Sequence, residues 1–278
     1  MRSNPHSRCK FTQYNTALYI AGAVLYCVVF FKNAWVGDDA YILFRSLDQL
    51  LDGNGPRWNP HERVQVFTCP LWYGLLAIAG LLSRDHYLNC LLLSMFCNGL
   101  LLWNLARILP NARNWLWAVV VLVFSQAYFD FTSSGLENPL AYCLLSFIAR
   151  FYLNKENQPN AQATRSLLIA SSLLLITRHD LALFVLPLLL QTFYLTKRES
   201  GTRKLFAQLV LLLAPLVAWS LFSLLYYGFL FPNTAYAKLA SVVPHSELLQ
   251  RGWLYFTTSI LRDFISIAVL VVGVVIGC

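Results

Sequence analysis

A chain of 278 residues that is 58% apolar and only 12% charged lacks the polar groups to cover a soluble domain, in which about 25% of residues are charged. Its formal charge of +8 does not point to nucleic acid either, because the Lys and Arg residues sit at the ends of apolar runs and not on one solvated patch. What remains is an all-α, polytopic transmembrane helical protein whose solvent is the lipid bilayer, with no nucleic-acid partner.

Arg2, Arg8 and Lys10 precede an apolar stretch from about Thr16 to Phe31, and no small-x-small cleavage site follows it, so the first span is expected to stay in place as a signal anchor. The longest polar stretch comes next, residues 32–68, and is read as the first outer loop. It opens on Gly37-Asp38-Asp39-Ala40 and closes on Trp58-Asn59-Pro60 and Glu62-Arg63-Val64. Within it Tyr41, Phe44, Leu47 and Leu51 recur at helical spacing opposite Arg45, Asp48 and Asp52, which predicts an amphipathic helix on the membrane surface, stopped by Gly53 and Gly55.

Further apolar runs follow at about Pro70 to Leu82, Leu88 to Leu109, Trp115 to Phe129, Pro139 to Leu153, Leu167 to Ile176, Leu181 to Leu195, Leu205 to Phe231 and Leu261 to Cys278. The expectation is one module over residues 1–278 with about eight to nine apolar helices, one or more of them short or re-entrant. The seven cysteines form no C-x-x-C pair and no disulfide framework, and are read as small apolar residues packed between helices.

Cytoplasmic segments of membrane proteins are enriched in Lys and Arg. If every run crossed, the basic turn from Arg107 to Arg113 would lie outside and the acidic turn at Ser133-Ser134-Gly135-Leu136-Glu137 inside, against that rule. Pro70 to Leu82, at thirteen residues, is too short for an upright crossing and is expected to dip in and return. With that adjustment the basic residues from Arg2 to Lys10, Arg107, Arg113, Arg150, Lys155, Arg165, Lys197, Arg198, Arg203 and Lys204 fall inside, and Asp38-Asp39, Glu137, Arg178-His179-Asp180 and the segment Pro232 to Lys238 gather outside.

Ionisable groups at membrane depth are expensive, so their convergence on one face is a functional signal. Each also has a structural explanation. An Asp of the pair caps the surface helix; Glu137 answers a helix macrodipole; Arg178 and Asp180 form a private ion pair; His179 is a structural or interfacial residue; Lys238 sits in solvent. Both explanations stand at this level.

The strings Gly37-Asp38-Asp39-Ala40-Tyr41-Ile42, Trp58-Asn59-Pro60, Glu62-Arg63-Val64 and Thr68-Cys69-Pro70-Leu71-Trp72, followed in order by Ser133-Ser134-Gly135-Leu136-Glu137, Thr177-Arg178-His179-Asp180 and Phe231-Pro232-Asn233-Thr234-Ala235-Tyr236-Ala237-Lys238, resemble the GT-C superfamily of membrane glycosyltransferases. Within it they resemble most the bacterial polyprenyl-phosphate-dependent arabinofuranosyltransferases. The resemblance runs from Gly37 to Lys238. Cys69 stands where that group is expected to carry a small hydroxyl residue and His179 where proline is expected. The chain stops at Cys278 inside an apolar run, where such proteins continue, which reads as C-terminal truncation.

That resemblance implies an enzyme moving a sugar, arabinofuranose, from a polyprenyl-phosphate donor to a glycan or protein acceptor, with the active site of a bacterial inner-membrane protein facing the periplasm or exterior. It implies Asp38 as general base with Asp39 second, inversion at the anomeric carbon, and substrate-binding roles for Arg45, Glu137, Arg178, Asp180, Asn233, Tyr236 and Lys238. No cofactor is required; a divalent cation, magnesium or manganese, is compatible with adjacent carboxylates, but no D-x-D or His/Cys ligand set is present and no metal ligand is assigned. The competing classes are a lipid-linked sugar transporter or flippase, which the absence of internal repeats disfavours, and a non-catalytic membrane assembly subunit.

Overall fold

The computed structural model describes residues 5–109, 111–157, 161–230, 232 and 244–277, and every regular element among them is helical. In chain order these are α1 (Pro5–Lys32), α2 (Asp38–Leu51), α3 (Pro70–Leu82), α4 (His86–Ile108), α5 (Ala112–Phe124), α6 (Gln126–Phe129), α7 (Asn138–Asn157), α8 (Ala161–Thr177), a 3₁₀ turn at His179–Leu181, α9 (Ala182–Tyr227), and the helices His245–Arg262 and Phe264–Gly277. Among the described residues three stretches are long and apolar enough to cross a membrane, Asn15–Lys32, His86–Ile108 and His179–Tyr227, and a fourth is added if His245–Arg262 and Phe264–Ile276, bent by 96°, form one broken span. Pro70–Leu82, Ala112–Phe124 and Ala161–Thr177 are shorter apolar helices. Large apolar side chains stand exposed along them, among them Phe96, Leu183, Phe206 and Leu225, a surface suited to lipid and far too apolar for water.

The chain divides into two compact units. One comprises Met1–Trp35, Leu105–Ser134 and Ala240–Cys278. Its centre is α1 against α5: Trp115 fills the space beside Gly22 and lies 4.9 Å from the Tyr19 ring. Tyr26 is fully buried and its hydroxyl is 2.9 Å from that of Tyr128. The sequence predicts one run from Trp115 to Phe129, but Ser125 breaks it, its hydroxyl accepting from the Tyr128 N–H at 3.2 Å to start α6. Asp263 occupies the bend between the last two helices, accepting from the Ala127 N–H at 2.6 Å and the Ser266 hydroxyl at 2.7 Å. The amphipathic helix His245–Arg262 was not among the predicted runs, because its polar residues break the apolar signal before Leu261.

The other unit, Val36–Asn104 and Gly135–Leu239, contains every described candidate residue. Here α2 forms with the predicted extent and stops before Gly53, but its buried face differs from the predicted stripe. Ala40, Leu43, Phe44 and Leu47 are buried, while Tyr41 is 55% exposed. The helix is rotated so that the small Ala40 lies inward. Helix α3 keeps the predicted bounds and begins on Pro70, where a missing N–H costs nothing. Its Tyr73 hydroxyl donates to the Ser46 carbonyl at 2.9 Å, tying it to α2.

Helix α8 packs between α7 and α9. The two predicted runs, Leu181 to Leu195 and Leu205 to Phe231, emerge as one helical element interrupted at Gly201, whose φ of 80° and ψ of 179° are not helical. Residues 195–200 and 204–211 both face residues 161–168 of α8, whereas Pro215, Trp219 and Phe222 lie near Ile176 at its far end. The chain therefore reverses direction at Gly201.

Candidate functional site

The first polar group is built on the loop Ser133-Ser134-Gly135-Leu136-Glu137, which leads directly into α7. Gly135 has a φ of 81°, and a Cβ there would sit 2.8 Å from the Ala40 Cβ and 3.0 Å from the Val36 side chain. Only glycine lets this loop lie against the start of α2. The indole N–H of Trp72, a fully buried side chain, donates to the Gly135 carbonyl at 3.0 Å. Three of the sequence motifs thus meet at one glycine.

Asp38 and Asp39 open α2 immediately before Ala40, and both are exposed. The N-cap residue is Gly37, which offers no side chain, and the Asp38 carboxylate accepts the Asp39 N–H at 3.0 Å. The pair therefore does not act as the N-cap side chain; its carboxylates point into accessible space. Among the described residues neither makes an ion pair, and their link to the rest of the site is the Ala40–Gly135 contact.

Glu137, Arg178 and Asp180 come together directly. The Arg178 guanidinium binds Asp180 through Nε at 3.1 Å and Nη2 at 2.6 Å, donates from Nη1 to the Asn138 side-chain oxygen at 2.6 Å, and lies 3.9 Å from the Glu137 carboxylate. The hydrogen bond and charge of Arg178 hold the Asp180 carboxyl below its ordinary range, and the same bond to Asp180 raises Arg178 further. Both stay charged at neutral pH. Three of the five guanidinium N–H groups are engaged in these bonds, and two are left for an incoming oxygen.

Sequence reasoning treated Cys69 only as a departure from a family pattern, and the structure places it in this group. It is buried, N-terminal to α3, and hydrogen-bonded to Glu137. Burial first, then the charge and hydrogen bond of Glu137, raise its pKa well above the usual thiol value, so it stays protonated and donates to the carboxylate. A thiol here does the work of the hydroxyl expected at this position, and that chemical equivalence was the available signal. Asn138, the amide that anchors Arg178, carried no signal in the sequence.

Arg45 is not part of this group. Its guanidinium stacks 4.4 Å over the Trp58 ring and donates to the Asn59 side chain at 2.8 Å, and Asn59 in turn donates to Glu62. The loop motifs Trp58-Asn59-Pro60 and Glu62-Arg63-Val64 are therefore joined directly by the Asn59–Glu62 bond, and Arg45 ties the first of them to α2. The same loop is fixed to the end of α9: Arg57 donates to the Tyr226 hydroxyl at 2.8 Å, and the Ser223 hydroxyl to Gln65 at 2.9 Å. Asn233, Tyr236 and Lys238 lie outside the described residues.

An apolar groove of about 440 Å³ adjoins the polar group, lined by Pro70, Leu71, Leu75, Ile176, Trp219 and Phe222 among others. Pro70 follows Cys69, and Ile176 precedes Arg178 by two residues, so one end of the groove lies beside the Glu137–Arg178 pair. Among the described residues no group of three or more His, Cys, Asp or Glu side chains is gathered to hold a metal ion.

Compared with known proteins, the chain is 27% identical over 239 residues to the terminal beta-(1->2)-arabinofuranosyltransferase of Mycobacterium tuberculosis, covering 80% of this chain and 38% of that protein. It is 28% identical over 252 residues to the protein of the same name from Corynebacterium glutamicum, covering 80% of this chain and 35% of that one. The chain thus spans little more than a third of the length of the curated relatives it matches. No family model matches, and no solved structure does. Over four-fifths of its length the chain is similar to terminal arabinofuranosyltransferases, the group of membrane glycosyltransferases that its ordered motifs resemble.

Proposed function

We propose that this chain carries the catalytic face of a membrane glycosyltransferase that moves arabinofuranose from a polyprenyl-phosphate donor to a glycan or protein acceptor on the outer side of a bacterial plasma membrane. The observation that carries the reading is the close approach at Gly135 between the first turn of α2, which bears the exposed carboxylate pair, and the loop that leads to Glu137, itself grouped with Arg178 and Asp180. The names of the relatives support the sugar and the reaction type. The reading takes the topology expected from the sequence, a single module of about eight to nine apolar helices with α2 on the membrane surface and α3 re-entrant.

In the proposed transfer an acceptor hydroxyl attacks the anomeric carbon and gives its proton to Asp38, with Asp39 as the neighbouring carboxylate. The new glycosidic bond forms as the bond from that carbon to the phosphate oxygen breaks. The electron pair leaves with the polyprenyl phosphate, and attack opposite the leaving group inverts the centre. Negative charge on the departing phosphate is met by the two remaining N–H groups of Arg178 and by Lys238. Glu137 and Asp180 hold Arg178 in place, and with Asn233 and Tyr236 they orient sugar hydroxyls.

Because Glu137 and Asp180 together outweigh the charge of Arg178, this group alone is net negative, which gives Lys238 a necessary share in phosphate binding. Arg45, bound to Trp58 and Asn59, holds the loop that follows α2. The groove beside Pro70 and Ile176 supplies the apolar channel for the polyprenyl chain. No cofactor is required; magnesium or manganese at the carboxylate pair would supply further neutralisation of the phosphate.

The test is incubation of the membrane-embedded protein with labelled polyprenyl-phosphoryl arabinofuranose and a panel of glycan and protein acceptors. Transfer by the native chain is expected, with Asp38→Asn lowering the rate by at least about a hundredfold, the scale of a lost general base, while the protein still accumulates in the membrane. An Asp38→Asn protein with full activity removes the assignment of the base.

A further inference from the structure

The end of α8 remote from Arg178 carries a second polar pocket that the proposed transfer does not use. It lies about 18 Å away, from Arg165 to Thr177 at 1.5 Å per residue. A cavity of about 330 Å³ opens there between the first turns of α8 and the two limbs of α9 that meet at Gly201. Its polar lining includes two cations on facing elements, Arg165 and Lys204. Lys204 donates one of its three N–H bonds to the Ser200 hydroxyl at 3.2 Å, which leaves two directed elsewhere.

The feature that marks the cavity as a binding site is Gln208. Its side chain is only 8% exposed, lines the cavity, and its carbonyl oxygen has no hydrogen-bond partner among the described residues. A buried acceptor without a donor is costly, and such a group calls for a partner that brings an N–H or O–H. Glu199 adds a second acceptor at the rim. The cavity thus offers cations for an anion and acceptors for hydroxyls, and Leu168, Leu195 and Leu211 form an apolar wall beside them.

We infer that this pocket binds the glycerol phosphate headgroup of an anionic phospholipid. The phosphate sits between Arg165 and Lys204, and a headgroup hydroxyl donates to Gln208. The acyl chains leave along the apolar wall toward the exposed Leu213 and Phe206. The surrounding segment is basic, with Lys197, Arg198 and Arg203 beside Lys204, a composition that draws anionic lipid to a membrane surface. This site stands independently of the sugar-transfer reading, because none of its residues belongs to that machinery.

The test is native mass spectrometry of the full chain released from bilayers of equal parts phosphatidylglycerol and phosphatidylcholine. Phosphatidylglycerol is expected to be retained at least about tenfold over phosphatidylcholine, the scale of two charge-assisted contacts. The Arg165→Gln, Lys204→Gln double variant is expected to lose most of this preference, with sugar transfer unchanged. Gln208→Leu is expected to keep the preference for anionic lipid but to lose the native preference for phosphatidylglycerol over phosphatidylmethanol, an anionic phosphodiester of the same charge with no headgroup hydroxyl. Equal retention of the two lipids by the native chain overturns the site, as does a double variant that behaves like the native chain. Displacement of the lipid by free glycerol 3-phosphate at equal concentration keeps the chemistry and overturns the lipid as its source. A Gln208→Leu protein that fails to fold leaves the charge variant to decide.

Discussion

The two ends of α8 handle an arginine in opposite ways. At one end Arg178 is bound by Asp180, Asn138 and the nearby Glu137, with two N–H groups to spare. At the other, Arg165 is exposed beside Lys204 and an unsatisfied Gln208. A cation already fixed by carboxylates has lost its rotamer freedom and most of its water before a ligand comes, which suits a reaction that tolerates little misplacement. An exposed cation keeps its full charge and its mobility, which suits reversible recognition of a headgroup. The same residue type serves positioning at one end and capture at the other.

The comparison is broken most severely by Gly135→Ala. The side chain would enter a positive-φ conformation and meet Ala40 at 2.8 Å. Strain and overpacking together are expected to cost about 2–4 kcal/mol, read as a lowered melting temperature in detergent, with transfer lost even in the folded fraction because α2 no longer sits on the loop. The equivalent disturbance at the far end, the double neutralisation of Arg165 and Lys204, is expected to leave transfer intact.

Arg178→Lys sharpens the contrast in a second way. Lysine keeps the charge but loses the planar fork that binds Asp180 through two nitrogens. Transfer is expected to fall about tenfold to a hundredfold, with the melting temperature nearly unchanged; a variant at native rate would show that charge alone suffices and that the fork has no positioning role.

The smallest effect is expected of Asp180→Asn. The folded-state pKa of Asp180 is held below its unfolded value by Arg178, so its stabilisation is present above about pH 4, the unfolded Asp value, and is lost as pH falls through the folded pKa. Its side chain is 62% exposed, and solvent screening limits the contribution to about 0.5–1 kcal/mol. Native and variant proteins are therefore expected to differ slightly in denaturant midpoint at pH 7 and to converge progressively as pH falls below about 4.

Much of this was legible in the residues. The apolar runs gave Pro70–Leu82 with its bounds, and the helix that begins at Asp38 was readable from its spacing and its glycine stop. The grouping of Glu137, Arg178 and Asp180 followed from treating dispersed ionisable groups as one face. Other features were beyond a one-dimensional pattern. The rotation that buries Ala40 and exposes Tyr41 is set by Gly135, nearly a hundred positions on. Cys69 and Asn138 have no charge to draw notice, and their roles arise only from contact with Glu137 and Arg178. The break at Ser125 depends on a hydroxyl that stands inside an apolar run.

Gly201 carries a consequence for how the chain enters a membrane. Continued without interruption, the 46 residues of α9 would make a rod of about 69 Å at 1.5 Å per residue, more than twice the roughly 30 Å hydrocarbon thickness. Folded at the glycine, they become a hairpin whose limbs of about 28 and 39 Å each match one crossing, and the Tyr226 end returns to the loop that holds Arg57. One residue with positive φ thereby turns a single rod into two limbs. A substitution that straightened it would part the Tyr226 end from the loop that holds Arg57, so that a backbone conformation at the opposite end of both limbs decides whether that loop is held at all.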